Sequence, residues 1–429
     1  MDDFVNYAKW HRVRMVLAIA TVGIVLVIVC IAIAIWAHGA REFRDVRLAD
    51  AAFYDSVVES EQAYLLKTQA EDGALLYVPK RNGEVRVVPY FSSLGALGLL
   101  EGGPTETESK RFSAVESYLV WYGDHLENGA RENLPKGSIA DYSLNVSDGA
   151  IIEESRANPD SIDSYAATYI TVLSAYYNAG GNTAFVQERA EDTRMVIEVL
   201  LGTIGPNGLS CVSPDNDTNY LMDNVEVLAA LRAVPLLVER VWLPASPQLE
   251  AREWSSLAQR CVASAAVLEQ AIFEILWDAD NERFLSGIDA SSGNEIVWEG
   301  WDDFYPSAVA QIAPAAWAGG FSTDIIYRSR GLYSDFCAAW KWEDFEYVDE
   351  GAATFYWGMI AYAAASLGDE GRARIYLEEY MARVEKSDHE WPLYIADASW
   401  ASRTAALLAD AARGDAAKAD PIGLLGLIP

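Results

Sequence analysis

Six segments of this chain open on a carboxylate or an aromatic residue and run straight into a stretch rich in Ala, Ser, Tyr and Leu, and each is followed by a more polar amphipathic stretch. The first kind reads VVPYFSSLGALGLL from Val87, PDSIDSYAATYITVLSAYY from Pro159, LMDNVEVLAALRAVPLL from Leu221, DDFYPSAVAQIAPAAW from Asp302, YVDEGAATFYWGMIAYAAASL from Tyr347 and PLYIADASWASRTAALLAD from Pro392. Apolar and small residues cover most faces of these helices, so they belong where protein surrounds them. The second kind, such as ESKRFSAVESYLVWYGDHLE from Glu108 and EGRARIYLEEYMARVEK from Glu370, carries charge on one side only and belongs outside. A helical hairpin repeated in this way restricts the chain to an all-α fold in which inner helices are sheathed by outer ones.

The connections add a direction. From a buried helix to its solvated partner the chain turns within a few residues, at Gly102 to Thr105, Ala179 to Asn182, Gly319 to Ser322 and Gly368 to Glu370. The return runs are longer: roughly Asn128 to Asn158, Thr203 to Tyr220 and Ala279 to Gly300. Loops of that length in a compact domain usually carry function. If the buried helices run parallel in an inner ring, every long loop and every buried-helix N-terminus meets at one end, where a cleft is expected.

Ahead of the hairpins lies an uninterrupted apolar run, Met15 to Ala37, long enough to cross a bilayer. A cleaved signal sequence is the alternative, although its apolar region usually spans about 7–15 residues. Lys9, Arg12 and Arg14 before the run are balanced by Arg41, Arg44 and Arg47 after it, so flanking charge sets no orientation. The short leading segment favours translocation of the hairpin region. The expected organisation is an N-terminal cytoplasmic segment (1–14), a single transmembrane helix (15–37), a linker (38–47), a hairpin domain (48–412) outside the cytoplasm and a tail (413–429).

A net charge of −31 disfavours nucleic acid and anionic lipid surfaces as partners. Cys30 falls in the apolar run, and Cys211, Cys261 and Cys337 have no short paired spacing, which gives no disulfide framework and no cysteine zinc site. With His125 and His389 the only histidines of the domain, a Ser-His-Asp triad or a histidine metal site has little material. No cofactor is expected, with a structural calcium at Asp215 to Asn219 or Asp278 to Glu282 as the alternative; Tyr220 stands where a calcium loop needs Gly.

Carboxylate chemistry remains. Asp160, Asp163, Asp223, Asp302, Asp349 and Asp397 stand at starts of buried helices, where the helix dipole favours an anion and capping alone explains any one of them. Several brought to one rim supply something more, since like charges and burial push pKa values apart and leave an acid beside a base. Asp163, Asp223, Asp302, Asp303, Glu350 and Asp397 are therefore the catalytic candidates. Flat rings stack on sugar faces, which makes Tyr90, Tyr165, Trp298, Trp301, Tyr305 and Trp391 the candidate substrate contacts, while Phe355, Trp357 and Tyr169 read as core.

Taken together, residues from about 48 to 412 resemble the six-hairpin glycosidases, (α/α)6 toroids that include glucoamylases, family-eight cellulases, trehalases and unsaturated glucuronyl hydrolases. TQAEDGALLYVP from Thr68, ANPDSIDSYAATYI from Ala157 and EGWDDF from Glu299 carry the local similarity. The resemblance implies hydrolysis of a glycosidic bond with inversion in an extracytoplasmic polysaccharide or glycoconjugate, with Asp302 as the acid and, by position, Asp163 as the base. Two other readings stay open. A polysaccharide lyase or hydratase would need cations for a uronic acid, for which Arg156, Lys341 and Arg403 are the few candidates. A non-catalytic sugar-binding or scaffold protein would need none of the acids.

Overall fold

The computed structural model describes residues 2–79, 83–102, 105–131, 134–147, 150–155, 159–296, 298, 300–317, 323–348, 355–390 and 392–419. The chain divides into two compact units, residues 1–54 with 408–429, and residues 55–407.

Helix α1 runs unbroken from Asp2 to Lys67, so the expected linker at 38–47 is helical. No proline interrupts it, and its two glycines, Gly23 and Gly39, cost a helix only about 1 kcal/mol each. In the first unit residues 15–36 are exposed, with a mean hydropathy of 3.2 over the most apolar window and none of that window buried. The helix is long and apolar enough to cross a membrane, a test that a signal sequence also passes. Arg47 of the same unit bonds Asp415 at 2.9 Å and lies 3.7 Å from Asp50.

The second unit follows with β1 (Gly83–Val87), α2 (Pro89–Leu100), α3 (Thr105–Asp124), β2 (Tyr142–Ser147), β3 (Ala150–Ser155), α4 (Ile162–Asn178), the short α5 (Thr183–Glu188), α6 (Ala190–Gly202), β4 (Thr218–Tyr220), α7 (Leu221–Leu237) and α8 (Gln248–Glu274). Then come β5 (Trp277–Asp278), β6 (Arg283–Phe284), β7 (Gly287–Asp289), α9 (Ala313–Ala316), α10 (Thr323–Ala339), α11 (Met359–Leu367), α12 (Glu370–Ser387) and α13 (Ile395–Ala419), whose residues from 408 on belong to the first unit. Inner neighbours pack in chain order, α2 on α4, α4 on α7, α7 on α9 and α9 on α11, and α3, α6, α8, α10 and α12 sheathe them.

Small residues close the ring. Gly358, just before α11, abuts Trp400 and Asp397 of α13, and the Tyr362 ring lies 5.4 Å from that of Trp400. From α13 to α2, the Ser399 hydroxyl donates to the Leu94 carbonyl, Ser402 Oγ donates to the Gly98 carbonyl at 3.2 Å, and Arg403 Nε reaches Glu101 Oε1 at 3.3 Å. The result is the (α/α)6 toroid that the hairpin pattern predicts.

Three features depart from the helical pattern. The fourth inner helix is broken into a π-helical turn at Phe304–Ala308 and the single turn of α9, because Pro306 and Pro314 cannot donate to preceding carbonyls. The fifth starts only at Met359, after Trp357 at φ +49°, which leaves Phe355 and Trp357 outside the helix. The long run after Asn128 contains β2 and β3, which extend β1 into a three-stranded antiparallel sheet with Val85 opposite Leu144. Tyr77 donates its backbone N–H to the Arg86 carbonyl (2.9 Å) and accepts from the Ile395 N–H (3.1 Å), which ties β1 to the start of α13. The pairs β4–β7 and β5–β6 are short ladders in the later loops. All four cysteines are unpaired.

Candidate functional site

The tight centre of the inner ring is a group of three carboxyl groups at the starts of α4 and α7. Asp163 lies in the first turn of α4 with no exposed surface. Its Oδ1 accepts from Ser161 Oγ (2.5 Å) and the Ser164 N–H (2.8 Å), and its Oδ2 accepts from Ser210 Oγ (2.6 Å). Ser161 Oγ also donates to Asp223 Oδ2 at 3.1 Å, so one hydroxyl bridges the two aspartates. Glu226 follows Asp223 by three residues on α7, which brings both to one helix face. Its Oε1 accepts from the Tyr90 hydroxyl of α2 at 2.7 Å, while its Oε2 is buried with no hydrogen-bond partner among the described residues.

Electrostatics sort the three. Burial raises the Asp163 carboxyl above its ordinary value, and the Ser161, Ser210 and Ser164 donors offset only part of that rise. Asp223 is held well above the carboxylate range by burial and then by the charges of Asp163 and Glu226. Burial lifts Glu226 to about 8, against the pull of the Tyr90 and Ser164 hydroxyls. Of the three, Asp223 alone is more than marginally exposed. The arrangement thus places one partly exposed carboxyl group, held protonated, beside an enclosed carboxyl partner.

Around this group runs a belt of rings. Tyr165 stacks toward Tyr90 with centroids 6.4 Å apart, Tyr90 meets Phe91 at 5.2 Å, and Phe91 meets Tyr394 at 5.2 Å. Tyr394 meets Phe355 at 5.0 Å, Phe355 meets Trp357 at 6.3 Å, and Trp357 meets Tyr305 at 4.4 Å. Tyr305, 52% exposed, lies within the field of Asp223 and Asp160. These rings come from the starts of α2, α4 and α13 and from the segments before α9 and α11, the shared end that the parallel inner helices create. On the Tyr165 side, its hydroxyl donates to Asp141 Oδ1 at 2.8 Å, just ahead of β2.

The remaining candidates sort as follows. Asp397 begins α13, 1% exposed, with its carboxyl raised well above the usual range by burial and its Oδ2 without a partner among the described residues. Asp163, expected as the base, has both oxygens hydrogen-bonded and no exposed surface. Asp302 is exposed beside the fourth inner segment, and Asp303 caps it by accepting from the Ser307 N–H at 3.1 Å. Trp298 is covered by the Arg283 guanidinium at 4.2 Å and abuts Trp301 at 5.7 Å, and Arg283 is in turn clamped to Glu295 at 2.6 and 2.8 Å. One face of the Trp298 ring is thus covered by an internal cation. Glu350, Asp349, Trp391 and Arg156 lie outside the described residues.

Among the cations considered for binding a uronic acid, Arg403 is packed over Trp400 (4.3 Å) and Tyr362 (4.5 Å), and Lys341 lies at the surface near Glu346. In the calcium alternatives, Asp278 turns onto its own loop and accepts from Asn281 Nδ2 at 2.7 Å; no acid or histidine cluster suited to a metal occurs among the described residues.

Sequence reasoning missed Glu226, Asp141, Ser210 and Tyr394. A glutamate one turn after Asp223, on a largely apolar helix, was the available signal for the first. Trp357, which the pattern places in the core, joins the belt because its helix starts after it.

No protein-family model matches the chain, and no curated protein matches its sequence. Solved structures do match in shape. A rhamnosidase from Klebsiella oxytoca with rhamnose bound superposes with a TM-score of 0.53 at 14% identity, over 83% of this chain and 64% of that one. The chain thus spans under two thirds of that protein's length. A protein described as a wild-type glycosidase gives 0.53 at 12% identity over 86% of this chain and 98% of its own, and a glycosidase point variant gives 0.52 at 13% over 89% and 99%. These proteins share the (α/α)6 toroid with this chain. Identities this low speak to architecture alone.

Proposed function

We propose that the protein is a membrane-anchored glycoside hydrolase, with Asp223 as its proton donor. The observation that carries the reading is the Ser161 bridge: a hydrogen-bonded, enclosed Asp163 stands directly behind a raised, more accessible Asp223. The proton on Asp223 passes to the glycosidic oxygen as the bond to the anomeric carbon breaks. Asp160 is exposed just before α4, and its charge reaches Tyr165, Tyr220 and Tyr305; it takes a proton from the water that attacks that carbon, so that the products are two sugar hydroxyls and the configuration inverts. Tyr90, Trp357 and Tyr305 offer ring faces to the sugars. The fold shared with glycosidases supports the same class.

In this reading, residues 15–37 anchor the protein and place residues 48–412 outside the cytoplasm, and the substrate is an extracytoplasmic glycan. The test is release of new reducing ends from a polysaccharide panel by the full chain. Asp223→Asn should lower turnover by roughly 10²-fold or more with the fold intact, and unchanged turnover would refute the assignment. Anchoring is checked by a carbonate wash, which should leave the protein in the membrane fraction; release of a shortened chain would indicate cleavage.

A further inference from the structure

An asparagine followed two residues later by serine or threonine, with no proline between them, is the acceptor motif for N-linked glycans. The chain contains it twice, at Asn145-Val146-Ser147 and at Asn216-Asp217-Thr218. The fold treats the two differently. Asn145 stands on the middle strand β2, opposite Glu84 of β1 on one side and Ile152 of β3 on the other, so its backbone leaves the sheet only if both ladders break. Asn216 closes a tight surface turn, in which it and Ser213 exchange backbone hydrogen bonds at 3.1 and 3.2 Å around Pro214 and Asp215. Residues 214–217 are exposed, and the turn is held from below where Thr218 pairs with Asp289 of β7. The Asn216 Oδ1 accepts from the Thr218 backbone N–H at 3.1 Å. An N–H is a donor only, which fixes the amide with its oxygen toward the backbone and leaves Nδ2 without a partner among the described residues.

From this exposed turn, with its amide nitrogen unengaged and a threonine two residues on, we propose that Asn216 is a site of N-linked glycosylation, in preference to Asn145 on its doubly paired strand. The co-reactant is an oligosaccharide carried on a lipid phosphate, delivered by a transferring enzyme in the membrane that also holds this chain. Asn216 Nδ2 forms a bond to the anomeric carbon of the first sugar as the bond from that carbon to the phosphate oxygen breaks. The electron pair of that bond leaves with the lipid phosphate, and the amide nitrogen gives up one proton. The proposal rests on the reading that places residues 48–412 outside the cytoplasm, and not on the glycosidase chemistry. The glycan stands on the run that leads into β4 and α7.

The test is peptide mass spectrometry on the full chain isolated from membranes of the cells that make it. Trypsin separates the two motifs, because Lys136 and Arg156 flank Asn145 while Arg194 and Arg232 flank Asn216. We expect most of the 195–232 peptide to carry added sugar mass, with fragment ions that keep the first sugar on Asn216, and the 137–156 peptide to be bare. Asn216→Gln and Thr218→Val should each abolish the added mass, while Thr218→Ser, which keeps a hydroxyl, should retain part of it. In parallel, intact cells are treated with an amine reagent that does not cross membranes, and labelling is read at Lys341, whose side chain is 73% exposed. A bare Asn216 in protein whose Lys341 labels from outside overturns the glycosylation site and leaves the placement of the domain standing. Lys341 that labels only after the cells are permeabilised overturns the placement and the site with it. Sugar on the 137–156 peptide at a level equal to or above that on 195–232 overturns the choice of Asn216.

Discussion

Replacing Gly98 by alanine tests where the ring closes. Gly98 lies within α2, and a Cβ built on it would stand 2.7 Å from Ser399 Cα, 2.9 Å from Ser399 Oγ and 2.9 Å from Leu65 Cδ1. The Leu65 methyl can rotate away, but Ser399 Cα is helix backbone. To bring that contact to an ordinary 3.4 Å, α2 and α13 must part by about 0.7 Å. The separation also strains the Ser402 hydroxyl bond to the Gly98 carbonyl at 3.2 Å. Overpacking of this kind costs about 1–3 kcal/mol, and the helix propensity of alanine over glycine returns about 0.5–1 kcal/mol. The net expectation is a loss of about 1–2 kcal/mol. Gly331, inside α10 with nothing within 4 Å of its would-be Cβ, is the control: Gly331→Ala should gain about 0.5–1 kcal/mol from the same propensity without a clash. Denaturant titration of the full chain in detergent, followed by far-UV circular dichroism, reads both changes in midpoint. Opposite signs are expected. Gly98→Ala as stable as the parent or more so would refute the close approach of the first and last inner helices.

Glu226→Gln should flatten the pH dependence of stability. The folded-state value of Glu226 is raised from 4.5 to about 8, so its contribution is fully present below 4.5 and is lost as pH rises through 8. The glutamine protein should therefore gain relative to the parent between about pH 5 and pH 8, seen as a larger difference in Tm at the upper pH; an equal difference at both would contradict the shift. His389→Ala should be costly, because Glu61, with no exposed side-chain surface, would lose the imidazole that bonds its two oxygens at 3.1 and 3.0 Å and keep, among the described residues, the Tyr380 and Ser60 hydroxyls. Uncoupling a buried pair of this kind costs about 3–5 kcal/mol, and His389→Gln, which restores a donor, should recover part of it in the same denaturation assay.

The hairpin repeat, the all-helical ring and the gathering of Tyr90, Asp163, Tyr165, Asp223, Tyr305 and Asp397 at starts of inner segments could be read along the chain, because each follows from local periodicity and from which connections are long. The roles within the rim could not. Asp163 is an enclosed carboxylate because Ser161 and Ser210, the latter 47 positions away, both turn toward it, and Glu226 matters because the Tyr90 hydroxyl arrives from a helix 136 positions earlier. That Arg283 lies over Trp298 and that Asp302 is exposed are likewise matters of tertiary contact that a short pattern does not encode. Periodicity is a property of neighbouring residues and survives in the sequence. A carboxyl group's proton affinity depends on solvent exclusion and on charges brought near by distant segments, and only the closed ring supplies those.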